Sequence, residues 1–258
     1  MNAEKLYIST TASDAYTTAQ KYGLGIEIAD FCTAWNMDDE FELTDKKLRR
    51  NLNGIDRRLL HAPFNELFPC AIDKKARELA AFRYKQAVSL AEKYNASKVI
   101  IHAGYNPHIY YYEWYVEQSI LFWKDFVKEI PGNIHIALEN IFEETPGPLL
   151  EIVKGVGDER IGICLDIGHI NAYSKAPVSE WIEYCKDFVT HFHVHNNDGI
   201  SDSHSGLERG SIPMKRVLEL AERLCPKATY TIELTEAEES VRWLRRVNNK
   251  SFIQHDRR

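Results

Sequence analysis

The sequence predicts an α/β protein of the (β/α)8 class, a TIM barrel, on three observations. Short β-branched runs alternate with longer helix-patterned stretches from one end to the other; eight such runs occur; and a length of 258 residues matches the roughly 250 residues typical of that fold. No Pro/Gly/Ser-rich linker or shift in composition divides the chain. One barrel domain is therefore expected over residues 1–250, followed by a C-terminal tail over 251–258.

The strand candidates follow in order as LYIST, GIEIADF, RRLLHAPF, KVIIHAG, IHIALEN, IGICLDIGH, VTHFHVH and TYTIELT. Their Val, Ile, Thr and aromatic content suits a strand more than a helix. The longest amphipathic stretch runs from Asp73 to Tyr94, with Leu79, Phe82, Ala87 and Leu90 at helical spacing as its expected apolar stripe. After the fourth strand, NPHIYYYEWYVEQSILFWKDF predicts a helix that packs Tyr115, Phe122 and Phe126 inward. The last helix is expected over Glu236 to Val247. The final seventeen residues carry Arg242, Arg245, Arg246, Lys250, Arg257 and Arg258 against Asp256, which reads as a solvated helix end and frayed tail.

Composition narrows the classes of function. With 32 Lys plus Arg against 38 Asp plus Glu, the formal charge is −6, so the chain lacks the basic balance of a nucleic-acid binder. Nowhere do 18 apolar residues run together, and no membrane partner is expected. The five cysteines, Cys32, Cys70, Cys164, Cys185 and Cys225, are odd in number and show no CxxC spacing. That argues against a disulfide framework and for a reducing, cytoplasmic setting. Walker, GxGxxG, GxSxG and HExxH motifs are all absent, which removes the commonest nucleotide, serine-hydrolase and zincin readings.

What remains is a pattern at the strand ends. From Ile55 to His61, Ala96 to His102, Asn133 to Glu139, Arg160 to Asp166, Asp187 to His193 and Lys227 to Glu233 the count is six residues each time, starting from the polar residue or turn before the strand. In a barrel, equal counts put these side chains in one layer at the C-terminal mouth, where barrel active sites are built. His169, Asp202 and His204 follow in the loops. His, Asp and Glu are the donors that zinc, manganese and related ions take. Glu139, Asp166 and Glu233 would crowd one cavity, and an unpaired buried carboxylate costs several kcal/mol. A bound divalent cation relieves that cost and uses the histidines as neutral donors. On the seventh strand His191, His193 and His195 share one parity. His193 falls in the ligand layer, with His195 as the alternative ligand or a substrate contact at the rim and His191 as a buried core residue. Glu27 is placed on the pocket floor, and Cys164 in inert core.

From HAPF at His61 through IIHAG, ALEN, CLDIGH, HFHVHNNDG, DSH and IELT, nearly the whole chain resembles the xylose isomerase-like TIM barrels. That superfamily includes sugar and sugar-phosphate isomerases and epimerases as well as apurinic/apyrimidinic endonucleases. The isomerase branch implies one divalent metal on Glu139, Asp166, the strand-seven histidine and Glu233, with the two glutamates flanking the substrate as acid and base. The endonuclease branch implies a second metal on His61, His102 and Glu139, and a third on His169, Asp202 and His204. The N-terminal part lacks the glycine-rich opening and the Asn-Pro-Arg stretch of the endonucleases, and Glu208 stands where a glycine is usual. The ending IELTEAEESVRWLR is similar to the isomerase type.

The expectation is thus a sugar or sugar-phosphate isomerase or epimerase that moves a proton next to a carbonyl. Glu139, Glu233 and His169 act on a carbohydrate substrate, and one to three zinc or manganese ions are held by the donors above. His195, Asn197, Tyr112 and Trp114 are the expected substrate contacts, since aromatic faces suit a sugar ring. Tyr110 to Tyr112 fit equally as a cluster at the start of the helix or as a contact within a homo-oligomer. The alternatives are a multinuclear zinc phosphoesterase of the endonuclease type and a noncatalytic sugar-binding barrel.

Overall fold

The computed structural model describes residues 2–247. The expected tail over 251–258, and with it Lys250, Arg257 and Arg258, lies outside the described residues. Eight parallel strands close into a barrel in chain order: β1 (Leu6–Ser9), β2 (Gly25–Ile28), β3 (Arg58–His61), β4 (Lys98–His102), β5 (His135–Glu139), β6 (Ile161–Asp166), β7 (Val189–Val194) and β8 (Thr229–Ile232). The fold expected from the alternating pattern is the fold observed. Closure comes from β8 pairing with β1, with Ile232 opposite Ile8 and Thr231 opposite Tyr7.

Around the strands lie α1 (Ala15–Tyr22), α2 (Ala34–Met37), α3 (Phe41–Asn51), α4 (Lys74–Lys93), α5 (Tyr112–Phe126), α6 (Gly147–Val156), α7 (Ile167–Tyr173), α8 (Val178–Cys185), α9 (Met214–Leu224) and α10 (Glu238–Val247). Helix α4 begins one residue inside the expected span because Asp73 caps it, accepting from the Lys75 N–H, and ends at Lys93 with Tyr94 as its C-cap. Its buried face differs from the expected stripe. Ala80, Tyr84, Ala87, Val88, Leu90 and Ala91 are buried, whereas Leu79 and Phe82 are exposed. Small residues let α4 lie close on the sheet, and Tyr84 takes the space a more regular apolar stripe would have used, stacking on Trp123 of α5 at 5.7 Å. In α5, Tyr115 and Phe126 pack inward as expected. No helix among the described residues is long and apolar enough to cross a membrane.

Strand alternation separates two environments. Outward residues such as Ile8, Ile26, Leu60, Ile101, Leu138, Leu165 and Ile232 join the helices in the large core. Inside the barrel, Tyr7, Leu59, Ile100, Ala137 and Cys164 form a small separate apolar cluster. Tyr7 lies opposite Gly25 in the register, and a Cβ on Gly25 would meet the Tyr7 ring at 2.3 Å. The missing side chain is therefore what admits the ring. Gly25→Ala should destabilise the protein by about 1–3 kcal/mol through overpacking, read as a lower midpoint in urea; an unchanged midpoint would show that the ring has room to move.

Candidate metal centre and cavity

Above the apolar cluster the barrel interior turns polar. His61, His102, Glu139 and Asp166 are the last residues of β3 to β6, His193 is the penultimate residue of β7, and Glu233 follows β8 directly. Register places His102 beside Glu139 and Asp166 beside His193. The equal spacing seen in the sequence therefore corresponds to one ring of side chains.

Three of the histidines are oriented in the same way. Nδ1 of His61, His169 and His204 lies 2.8, 2.9 and 3.0 Å from the backbone carbonyls of Ala62, Asn140 and Glu233. A carbonyl only accepts, so Nδ1 donates in each, and Nε2 is left facing a carboxylate. That partner is Glu139 for His61 at 3.1 Å, and Asp202 for His169 and His204 at 3.2 and 3.1 Å. His204 reaches Asp202 from a backbone at φ 44°, a left-handed conformation that a non-glycine residue adopts at some cost. Asn140 clamps Asp166 from the neighbouring strand by accepting from its N–H and donating to its carbonyl, at 2.9 and 3.2 Å.

His193 is turned the other way. Nε2 lies 3.0 Å from Glu27. Nδ1 faces three carboxylates, Glu139 at 3.2 Å, Glu233 at 3.4 Å and Asp166 at 3.7 Å, yet makes no hydrogen bond of acceptable geometry. One donor atom from each of these four residues lies within 4.8 Å of the others. Of four further groups of the same compactness, two share His193 (Cys164, His191 and His193; Glu27, His61, His193 and Glu233) and two adjoin the site at the mouth: His61, His102 and Glu139; and His169, His195, Asp202 and His204. In the last, His195 Nδ1 and Asp202 Oδ1 are also buried without a hydrogen-bond partner. Buried polar atoms are normally paired, and these three unpaired atoms sit within donor sets of the N/O type that zinc or manganese accepts. The residues present fit such an ion.

Burial opposes charge on all these groups, and their mutual attraction decides the outcome. Against burial, Asp166, Asp202 and Glu139 raise His169 to about 10, and Asp202 and Glu233 raise His204 to about 9. His193 is likewise held well above the usual imidazole range despite burial, by Cys164, Glu139 and Glu27. Glu139 stays well below the ordinary carboxylate range because its histidine neighbours outweigh desolvation, and Asp166 falls to about 2 for the same reason. His102 yields to burial and drops to about 3, Glu139 opposing only in part. Without a metal, protonated imidazoles neutralise the carboxylates.

A cavity of about 560 Å³ opens over this layer, lined by Thr11, Cys32, His61, Phe64, His102, Glu139, His169, Asp202, Ser203, His204, Glu233, Leu234 and Thr235. A larger cavity of about 710 Å³ lies elsewhere, along α7 to α9, and touches none of the donor residues. Phe64 lies against the His102 ring at 4.5 Å, and Cys32 Sγ is 3.4 Å from His61 Nδ1. Sequence reasoning places neither in the site. Phe64 stands three residues after His61 in the HAPF run, where its reach over the fourth-strand histidine depends on the loop path; Cys32 has no motif to mark it.

Four expected substrate contacts lie elsewhere. His195 is fully buried, stacked on His204 at 3.9 Å and 3.1 Å from Asp166, so it belongs to the donor cluster and not to an open rim. A Cβ on Gly168 would strike that ring at 1.8 Å, so the glycine makes room for it. Asn197 is fully buried and ties loops together, donating to the Gly168 carbonyl at 2.8 Å and accepting from Asn171. Tyr112 donates to Glu151 across the helix pair α5–α6, and Trp114 donates to the Cys70 carbonyl; neither lines the cavity. The helix begins at Tyr112, and its first turn directs one ring to α6 and the other to the loop carbonyl of Cys70. Glu27 lies below the floor, fully buried. His191 occupies the interior beside it, bonded to Thr229 and Thr231.

The chain is similar to several known proteins. An uncharacterized protein of Methanocaldococcus jannaschii is 27% identical over 209 residues, which make up 71% of this chain and 66% of that protein. Among solved structures, a D-tagatose 3-epimerase-like protein superposes with a TM-score of 0.74 at 24% identity, covering 95% of this chain and 99% of that one. A protein from Thermus thermophilus soaked with ZnCl2 superposes with a TM-score of 0.76 at 22% identity, covering 96% of this chain and 99% of that one. At such identities the likeness is one of fold. The profile that describes the xylose isomerase-like TIM barrel matches residues 19–247, and with the barrel closed in that order around a histidine- and carboxylate-lined mouth, the chain belongs to this family.

Proposed function

We propose that the chain is a divalent-metal-dependent sugar or sugar-phosphate isomerase or epimerase. The observation that carries this reading is the unpaired Nδ1 of buried His193 facing Glu139, Asp166 and Glu233, four donors around one point. The fold shared with an epimerase-like protein supports it. In this proposal those four residues hold the ion, zinc or manganese by their donor chemistry. When bound, such an ion polarises a substrate carbonyl and eases loss of the neighbouring proton. Glu139 and Glu233 both line the cavity, from β5 and from just beyond β8. A sugar lying between them presents a C–H to one carboxylate and the opposite face to the other, as removal and return of a proton require. His169, with Nδ1 donating to Asn140 and Nε2 on Asp202, reaches a substrate oxygen through Nε2 by exchanging that carboxylate partner. Phe64 and Leu234 supply apolar surface for the ring.

The two adjoining donor groups favour a second reading, a multinuclear phosphoesterase, because His61, His102, Asp202 and His204 are superfluous to proton transfer and useful to two-metal hydrolysis. Metal content separates the two: purification without chelator should yield one exchangeable ion per chain, and two or three tightly held zinc ions would favour the phosphoesterase.

Metal removal and pH should act together on stability. The raised imidazoles stabilise the metal-free fold fully below their unfolded value of about 6.5, and this contribution disappears as pH rises through about 9 for His204 and about 10 for His169. Chelated protein should therefore melt several degrees lower at pH 9.5 than at pH 6.5, and zinc should restore most of the loss by binding the native state. A melting temperature that chelation leaves untouched at both pH values would contradict the metal reading.

Proton transfer has its own signature. Incubating metal-loaded protein with a panel of ketoses and ketose phosphates in deuterated water should place deuterium next to the carbonyl of the true substrate. Glu139→Gln or Glu233→Gln should reduce this exchange by at least about 100-fold, because an amide keeps the shape but cannot accept the proton at neutral pH. Retained exchange in a variant shown to hold its metal would remove that glutamate from the acid–base pair.

A further inference from the structure

We infer that Glu27 is a positioning residue for the metal centre: from beneath the site it fixes the His193 ring so that Nδ1, and not Nε2, faces the metal position. The inference rests on the metal reading above. Glu27 is fully buried on β2 inside the barrel, does not line the cavity, and cannot touch a substrate. Its two oxygens are fully engaged. Oε1 is 3.0 Å from His193 Nε2, while Oε2 accepts from Thr231 Oγ1 at 2.6 Å and lies 3.2 Å from His191 Nε2. An ionised carboxylate only accepts, so His193 must carry its proton on Nε2. Nδ1, the atom left unpaired among Glu139, Asp166 and Glu233, is then free to give its lone pair to an ion.

This orientation is the reverse of the other donors. His61, His169 and His204 are tied by Nδ1 to backbone carbonyls and present Nε2. For His193 a side chain from another strand, Glu27 on β2, takes that role. A chain of contacts below makes a buried carboxylate tolerable there. His191 Nδ1 bonds Thr229 Oγ1 at 2.6 Å, and Lys98 Nζ donates to the same hydroxyl at 3.1 Å. A cation thus stands two side chains away from Glu27, leaving the carboxylate's direct contacts to the histidines and Thr231. Ligating histidines commonly donate their second nitrogen to such a carboxylate, which sets ring orientation and basicity.

The full-length chain loaded with zinc tests this by two measurements. Long-range 1H–15N spectra of the wild type should show His193 protonated at Nε2 and metal-bound at Nδ1. A competing chelator should report zinc binding weaker by about 10- to 100-fold in Glu27→Gln, whose amide also donates and so permits the opposite ring tautomer. Metal bound through Nε2 in the wild type, or a folded Glu27→Gln protein with unchanged zinc affinity and a single His193 tautomer, would overturn the inference. Should Glu27→Gln not fold, the wild-type spectrum decides alone. Wild-type protein that takes up no zinc would overturn the metal reading itself, and this inference with it.

Discussion

The site depends on one constraint, that buried carboxylates must meet positive charge. Glu27, Glu139 and Asp166 are all buried inside the barrel, and among the described residues no arginine forms an ion pair that neutralises any of them. Histidines do so, and their response is graded by place. His169, His193 and His204, ringed by acids, hold protons far above the usual range, whereas His102 and His191 are pushed down to about 3 by burial. Such an arrangement is poised for exchange. A divalent ion can replace two imidazolium charges at once and leave the same carboxylates satisfied.

The orientation of the rings follows from where the strands end. Where strands give way to loops, backbone carbonyls hold His61, His169 and His204 by Nδ1. Deeper in the barrel, His193 is held by Glu27 instead. Close approach does the rest. Gly168 admits the His195 ring, and Gly25 admits Tyr7 below. The apolar cluster of Tyr7, Leu59, Ile100, Ala137 and Cys164 fills the interior alongside these polar groups, Leu59 opposite Glu27 and Cys164 opposite His191 in the register.

Much of this is legible in the sequence. Alternation of strand and helix, eight times in a chain of this length, specifies the barrel, and the constant six-residue count aligns His61, His102, Glu139, Asp166, His193 and Glu233. Strand parity also singles out His191, His193 and His195, but parity cannot tell how deep a side chain lies or which carboxylate meets it. Depth is what turns His195 from a rim residue into a buried neighbour of Asp166 and Asp202. Loop residues are harder for a related reason. Tyr112, Trp114 and Asn197 have chemistry that suits a sugar, yet their polar atoms are used by Glu151, Cys70 and Gly168, contacts set by how helices and loops pack, which the local sequence does not encode. The stripe on α4 shifts because alanines and Tyr84, and not Leu79 and Phe82, take its buried face.

The exchange of protons for a metal ion is open to direct measurement. Adding zinc to chelator-treated protein at pH 7 in weak buffer with a pH indicator should release about one or more protons for each ion bound, since His193 at least must lose one from Nδ1, and His193→Gln should reduce that release. Zinc taken up at the wild-type site with no proton released would mean that imidazolium charge does not balance these carboxylates, and the electrostatic basis of the centre would have to lie elsewhere.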